Sequence, residues 1–115
     1  MPIDKRVAEL AAKTLVDRKA TDVMVINISE MTSIADWFVV ASGNTNVQVT
    51  ALMDNVKKTF KENDIEIRSR EGVQNARWII MDIGDTVIHL FTKQEREFYN
   101  MERLWQTEDN ITYYE

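Results

Sequence analysis

The densest run of apolar residues in the chain covers residues 77–91 (RWIIMDIGDTVIHLF). It is interrupted once, by Gly84 and Asp85, and a Gly-Asp pair between two apolar runs is typical of a tight hairpin turn. The pattern therefore predicts two adjacent antiparallel strands. If the loop has two residues, Trp78 pairs with Phe91, and the side chains of both strands fall onto two common faces.

Because side chains alternate along a strand, the hairpin has two different faces. One face is almost entirely apolar and consists of Ile79, Met81, Ile83, Thr86, Ile88 and Leu90. The other combines large apolar side chains with an acid and the only histidine: Trp78, Ile80, Asp82, Val87, His89 and Phe91. We predict that the first face packs against the core and that the second is a contact surface. For Trp78 on this second face, core and interface positions are equally favoured.

Helical spacing of apolar residues predicts three helices. The first covers residues 2–19, with acids early and bases late, as the helix dipole favours. The second follows Thr45, a residue suited to a helix N-cap, and ends near Asn63. The third begins after Thr92. Its apolar stripe consists of Phe98, Met101, Leu104 and Trp105, and Trp105 is assigned to the core.

Three further strands are predicted before the hairpin. Residues 23–28 and 37–41 are short runs rich in β-branched and aromatic residues, and the second run is apolar throughout, as in a strand covered on both faces. Alternation over residues 65–70 predicts a half-exposed or edge strand. The sequence thus predicts an α/β fold with a mixed sheet of about five strands and packed helices. This single domain covers residues 1–107, and residues 108–115 are predicted to be a loose tail.

Composition narrows the classes of function. The 115 residues include 14 basic and 19 acidic side chains, and the net charge of −5 favours a basic protein partner over nucleic acid, which is bound through its phosphates. With no cysteine and one histidine, the chain has no disulfide, no thiol chemistry and no ordinary zinc site. No apolar run approaches the roughly 20 residues of a membrane span, and no signal peptide is evident, so we expect a soluble, cytoplasmic protein.

Two features suggest enzyme chemistry, and each has a simpler explanation. Gly43-Asn44-Thr45 lies between a predicted strand and a helix N-terminus, where many α/β proteins bind phosphate. It lacks a full glycine fingerprint and a Lys-Ser/Thr ending, so a helix cap is favoured. Asp82 and Asp85 could form a metal pair of the nucleotidyltransferase kind. They flank a turn glycine, however, and Asp85 is better explained as a turn residue.

Two other polar groups are also interpreted as structural. His89 has no serine or cysteine at a spacing that suggests a catalytic pair, and a structural histidine bonded to a neighbour is favoured. Asp36 and Asp82 are the plausible carboxylate companions for a catalytic histidine here. Arg96 and Glu102 are predicted to form an ordinary pair on the surface of the third helix.

Four segments of the chain together resemble a known family. They are ADWFVVASGNTN (residues 35–46), EG (residues 71–72), WIIMDIGDTVIHLF (residues 78–91) and REFYNMERLW (residues 96–105). In this order they resemble the Iojap-like ribosomal silencing factors over nearly the whole chain. Two positions depart mildly from the family pattern: Ser42 stands where threonine commonly precedes the glycine, and Met101 stands where leucine is usual.

The resemblance implies a nucleotidyltransferase-like fold without the catalytic acids, and a non-enzymatic factor that needs no cofactor. Such a factor is expected to bind the large ribosomal subunit through its protein L-fourteen, at the face where the small subunit docks, and to reduce translation by obstruction. We expect little direct contact with nucleic acid and none with membranes. The exposed hairpin face could also support a homodimer of the free protein. The alternative is a small nucleotide-binding enzyme of this fold, built on residues 43–46 and Asp82.

Within this resemblance, the second face of the hairpin is expected to bind the partner. Trp78 is the expected anchor, and Asp82 could pair with a basic group. The expected partner-binding residues are Trp78, Ile80, Asp82, His89 and Phe91 on the hairpin, with Arg70, Glu71 and Gly72 as a rim. Tyr99, Glu102 and Trp105 match the C-terminal motif of the family and are expected to hold the last helix against the sheet.

Overall fold

The structure, a computed structural model, describes residues 4–115. This part of the chain forms four helices and six strands. In order they are α1 (Arg6–Asp17), β1 (Thr21–Asn27), β2 (Trp37–Gly43), α2 (Asn46–Glu62), β3 (Ser69–Glu71), β4 (Trp78–Asp82), β5 (Thr86–Thr92), α3 (Lys93–Tyr99), α4 (Met101–Trp105) and β6 (Ile111–Tyr114). No helix within residues 4–115 is long and apolar enough to cross a membrane.

The strands form one mixed sheet in the order β3-β4-β5-β2-β1-β6. β2 and β5 run parallel at its centre, and the other neighbouring strands are antiparallel. β2 is buried at every position, which explains its continuous apolar sequence, because neither face of a covered central strand reaches water. The α/β class with a mixed sheet is confirmed, with six strands rather than about five.

The sixth strand occupies the segment predicted to be a loose tail, residues 108–115, and that prediction was wrong. β6 runs antiparallel to β1, with Val23 opposite Tyr114. Asn110 fixes the start of β6, because its Nδ2 donates a hydrogen bond of 2.9 Å to the backbone oxygen of Asn27. The run ITYY is too short to show a period, but its β-branched and aromatic residues suit a strand that covers the edge of β1.

The hairpin of β4 and β5 has the predicted register, with Trp78 opposite Phe91. A hydrogen bond of 2.9 Å from the Ile83 backbone N–H to the Thr86 carbonyl oxygen closes the turn. Gly84 in the turn has a φ of 103°, a left-handed conformation that residues with a Cβ rarely adopt. The predicted core face is fully buried at Ile79, Met81, Thr86, Ile88 and Leu90.

Two segments depart from the predicted elements, and one lies partly outside the described residues. The strand predicted over residues 65–70 shrinks to β3, because the Ile65 N–H donates to the Phe60 carbonyl oxygen at 2.9 Å and so ends α2. The third helix is broken at Asn100, whose left-handed φ of 45° separates α3 from α4. The first helix was predicted from Pro2, and residues 1–3 lie outside the described part of the chain.

Different helices cover the two faces of the sheet. α1 and α2 pack on one face, which we call the α1–α2 face, around a core that includes Ala8, Leu15, Val49, Leu52, Phe60, Ile79 and Leu90. α3 and α4 pack on the other face, the α3–α4 face. Its buried residues are Met24, Ile26, Ile28, Ala35, Phe38, Val40, Phe91 and Met101. Trp78, Val87, Trp105 and Ile111 are partly buried against them. Because α3 and α4 are short, they cover this face only in part.

Candidate docking surface on the α3–α4 face

The open part of the α3–α4 face lies on the hairpin. Trp78, Ile80 and Asp82 alternate along β4 and are partly exposed on this face. The neighbouring edge strand β3 adds the exposed Glu71, which lies opposite Ile80, whereas Arg70 lies opposite Met81 and so is on the α1–α2 face. Of the eight residues predicted to bind the partner, Trp78, Ile80, Asp82 and Glu71 have side chains that another molecule can reach directly on this face.

Trp78 is held by contacts with three side chains. Its indole Nε1–H donates a hydrogen bond of 3.1 Å to Nδ1 of His89. The Phe91 ring stacks on the indole, with centroids 4.9 Å apart and an interplanar angle of 26°. The Tyr99 ring from α3 lies 4.9 Å away on a tilted plane. The indole ring is therefore partly exposed and fixed in place. Tyr99 is the residue of α3 that covers part of it.

His89 and Phe91 were predicted as contact residues, but the structure places them beneath the surface. His89 is 5% exposed and Phe91 is 0% exposed, so a partner cannot touch either of them without rearrangement. Burial lowers the pKa of His89 from its ordinary 6.5 to about 4, so the imidazole is neutral at physiological pH. The expected structural role of His89 agrees with this geometry, although its bonded neighbour is Trp78 rather than Asp36 or Asp82.

Gly72 shapes the rim of the surface through its backbone. It has a φ of 76°, and a Cβ at this position would lie 2.0 Å from the carbonyl oxygen of Trp78. Only glycine allows so close an approach. The Gly72 carbonyl oxygen also accepts a hydrogen bond of 2.9 Å from the Ala76 N–H. The loop before β4 is thus built around a glycine that packs directly on the backbone of Trp78.

The residues considered for catalysis have structural partners. The Asp82 carboxylate accepts a hydrogen bond of 2.8 Å from the Gly84 backbone N–H, and Asp85 is an exposed turn residue. Thr45 caps α2, because its Oγ1 accepts from the Gln48 N–H at 3.1 Å, as the helix-cap interpretation predicted. Within residues 4–115, no group of three or more His, Cys, Asp or Glu side chains is placed to hold a metal ion.

Exposed apolar side chains on α3 and α4 extend the surface in a way that the sequence analysis missed. Phe98 is 80% exposed, Tyr99 46% and Leu104 76%. The rings of Phe98 and Tyr99 are 5.0 Å apart, and Tyr99 contacts Trp78, so an aromatic row crosses from α3 to β4. A continuous helix would have kept Phe98 and Leu104 on one apolar stripe. Asn100 was the available signal, because asparagine adopts the left-handed conformation more readily than most residues.

Arg96 and Glu102 form a buried ion pair, so the prediction of an ordinary helix-surface pair was wrong. Arg96 Nε donates to Glu102 Oε2 at 3.0 Å, and Arg96 Nη1 donates to the Asp22 carbonyl oxygen at 2.6 Å and to the Ser42 hydroxyl at 2.8 Å. Residues six apart point to different sides of a straight helix. The break at Asn100 therefore brings the two side chains together, and Arg96 ties α3 and α4 to the ends of β1 and β2.

The expected support from the C-terminal segment agrees with these contacts. Tyr99 packs on Trp78, and Glu102 pairs with Arg96. Trp105 is half-buried, and its ring meets that of Phe38 edge to face at 5.1 Å. Tyr99 and Trp105 therefore link the helices to the sheet directly, and Glu102 does so through Arg96.

The fold and this surface define a small α/β protein with an open aromatic row on the α3–α4 face, and comparisons with known proteins show its family. A family model described as "Ribosomal silencing factor during starvation" matches residues 3–115. The chain is 40% identical to ribosomal silencing factor RsfS of Halalkalibacterium halodurans, over 89% of this chain and 87% of that protein. The chain is 37% identical to the Bacillus subtilis protein of the same name, over 88% of this chain and 86% of that protein.

A solved structure also matches this fold. It is that of a protein from Chromobacterium violaceum, which superposes with a TM-score of 0.86 at 33% identity and covers 96% of this chain and 92% of that one. The family model and the relatives each cover most of the chain. The chain belongs to the ribosomal silencing factor family.

Proposed function

We propose that the protein binds the large ribosomal subunit through its protein L-fourteen and blocks joining of the small subunit, so that translation is repressed. Family membership supports a ribosomal, regulatory role, because the relatives are named ribosomal silencing factors. The observation that carries the docking mode is the aromatic row from β4 to α3. A role of this kind needs no cofactor, and it belongs in the cytoplasm, where ribosomal subunits join.

Trp78 is the anchor of the proposed contact. Partly exposed aromatic side chains that are already fixed make good anchors, because docking buries their apolar area with little loss of side-chain entropy. Phe91 and Tyr99 fix the ring of Trp78, as described above. Ile80 and Phe98 add apolar area beside it. His89, Phe91 and Gly72 take part indirectly, by supporting the residues that make contact.

Electrostatics favour a basic partner at this surface. The whole chain has a net charge of −5, and a partner of opposite charge would associate faster and in a preferred orientation. Asp82 and Glu71 lie beside the aromatic row and supply negative charge there.

A sedimentation experiment tests the proposal. Purified large subunits are mixed with the protein, small subunits are added, and a sucrose gradient separates free subunits from joined ribosomes. We expect the wild-type protein to sediment with large subunits and to reduce joined ribosomes. Trp78→Ala should weaken binding by about 1 kcal/mol or more, a factor of about five. Direct titration with purified L-fourteen protein then tests whether that protein is the contact.

Val47→Ala is the matched control. Val47 is exposed on α2, and α2 covers the α1–α2 face, so its truncation should leave binding unchanged. Failure of the wild-type protein to sediment with large subunits would reject the proposal. Equal binding by the Trp78 and Val47 variants would move the docking surface away from the hairpin.

A cleft of about 480 Å³ at the ends of β2 and β5 favours a second candidate, a small nucleotide-binding enzyme. Its lining consists of Asn44, Thr45, Asn46, Arg77, Thr92, Gln94 and Glu95. α2 begins beside it, and the N-terminus of a helix attracts phosphate. Titration calorimetry with nucleoside triphosphates and magnesium tests this candidate. Heat of binding would support it, and its absence at millimolar ligand would remove it.

A further inference from the structure

The orientation of the Trp78 indole depends on His89. The indole has one polar hydrogen, and Nε1–H donates it to His89 Nδ1 at 3.1 Å. This bond directs the N–H edge of the ring into the protein. The stacking contacts with Phe91 and Tyr99 restrict the ring further. The part of the indole that remains exposed is therefore always the same, apolar part.

The same hydrogen bond determines the tautomer of His89. Because Nδ1 accepts, the proton of the neutral imidazole is on Nε2. Nε2 is buried, and no hydrogen-bond partner for it exists within the described residues. An unpaired buried N–H lowers stability, because the group has lost its hydrogen bonds to water without gaining another partner. For stability alone, an apolar side chain would suit this position better, so the histidine needs another explanation.

We propose that His89 is a positioning residue, which holds the Trp78 indole in the orientation that the docking surface presents to its partner. This inference rests on the proposed function, because it assigns His89 a role in the same docking event. His89 is buried between Trp78 and Phe38, whose ring lies 4.7 Å from the imidazole. It therefore acts through Trp78 and makes no contact of its own.

A residue that only fills space would behave differently on substitution. His89→Leu removes the acceptor of the hydrogen bond and also removes the unpaired Nε2–H. Because Trp78 is partly exposed, the indole N–H that has lost its acceptor in this variant can turn toward water. We therefore expect His89→Leu to fold with undiminished stability yet dock more weakly. His89→Asn offers a matched comparison, since its Oδ1 stands where Nδ1 was and accepts the same hydrogen bond.

The first measurement needs no ribosomes. In ¹H–¹⁵N NMR spectra, Trp78→Phe identifies the indole N–H signal of Trp78. We expect this proton to exchange with water more slowly than that of an indole open to solvent, by about fivefold or more for one hydrogen bond. His89→Leu should remove the protection, and His89→Asn should restore most of it. An unchanged exchange rate in His89→Leu would overturn the proposal.

The second measurement is binding to large subunits by sedimentation. We expect His89→Leu to bind about fivefold more weakly than wild type, and His89→Asn to stay within about twofold. Normal binding by His89→Leu, with Trp78→Ala still defective, would overturn this inference and leave the proposed docking surface intact. Normal binding by Trp78→Ala would reject both, and the NMR result would then describe only the free protein.

Discussion

The two faces of the sheet are made from the same strands but differ in their chemistry. On the α1–α2 face, the buried residues are apolar except for Thr86, and helices of 12 and 17 residues cover them. On the α3–α4 face, the covering helices have seven and five residues, and aromatic side chains reach the surface. Within residues 4–115, the buried side-chain atoms without a hydrogen-bond partner are His89 Nε2, Arg96 Nη2 and Glu102 Oε1. All three belong to the α3–α4 side.

This difference separates stability from docking. Apolar packing without unpaired polar groups is the arrangement that stabilises a fold best. Unpaired buried polar atoms and exposed aromatic rings lower stability or solubility, so proteins keep them mainly where a function requires them. We therefore expect substitutions in the apolar core of the α1–α2 face to change only the free energy of unfolding, and substitutions of exposed residues on the α3–α4 face to change mainly binding. Substitution of the buried Arg96, or protonation of the buried His89, on that second side should change stability as well. Four predictions test this division, in order of decreasing effect on stability.

Phe60→Ala should have the largest effect on stability. Phe60 is a residue of α2 and is fully buried against the α1–α2 face, and truncation of such a ring leaves a cavity. We expect the free energy of unfolding to fall by about 4 kcal/mol, measured by urea denaturation. The fraction that remains folded should bind large subunits normally. A loss below about 1 kcal/mol would show that this face is not the main source of stability.

Arg96→Ala should lower stability by about 3 kcal/mol, because it leaves the carboxylate of Glu102 without its partner in a mostly buried site. It also removes the hydrogen bonds to Asp22 and Ser42. The double variant Arg96→Met with Glu102→Leu should recover most of the loss, since it buries no unpaired charge. If the double variant were as unstable as the single one, the hydrogen bonds rather than the charge would be responsible.

Acidification should destabilise the protein through His89. Its pKa is lowered by burial to about 4, so the unfolded chain takes up a proton at higher pH than the folded protein. The stability present above pH 6.5 is therefore lost as the pH falls toward about 4. From about pH 7.5 to about pH 5.0, this group should contribute a loss of about 2 kcal/mol. His89 is the only histidine, so the difference between wild type and His89→Leu in urea denaturation at both pH values gives the part of the stability loss that is due to His89. Equal losses in the two proteins would contradict this prediction.

Phe98→Ser should have the smallest effect on stability, within about 0.5 kcal/mol, because the side chain is already largely exposed. Its effect on binding should be larger, about fivefold, since it removes apolar area from the aromatic row. Val47→Ser is the control, an equally exposed apolar residue on α2. Docking that is insensitive to Phe98→Ser would limit the surface to the hairpin.

Sequence reasoning succeeded where the signals are local. The turn glycine and the alternation around it were enough to give the register of the hairpin, because a two-residue loop allows one pairing that buries the apolar face. Thr45 was likewise identified as a helix cap from its immediate neighbours. The continuous apolar run in β2 placed that strand at the centre of the sheet.

The features that could not be predicted from the sequence depend on contacts between residues far apart in the chain. β6 forms because its backbone pairs with the edge of β1. Arg96 is buried because the Asp22 carbonyl oxygen and the Ser42 hydroxyl accept hydrogen bonds from its guanidinium group. The partner of His89 could have been found, since Trp78 lies diagonally across the hairpin on the same face. Only carboxylates were considered as companions of His89, but an indole N–H can also donate a hydrogen bond to the unprotonated nitrogen of a neutral imidazole.

The pairing of β1 with β6 has a consequence for the order of folding. Val23 and Tyr114 come from nearly opposite ends of the described chain, and contacts between such distant residues form slowly because a long loop must close first. Until β6 docks, an edge of β1 with four consecutive apolar residues stays open to other chains. Partly folded molecules should therefore aggregate through β1, and Tyr113, exposed on β6, offers a place for a fluorescent reporter of that last step.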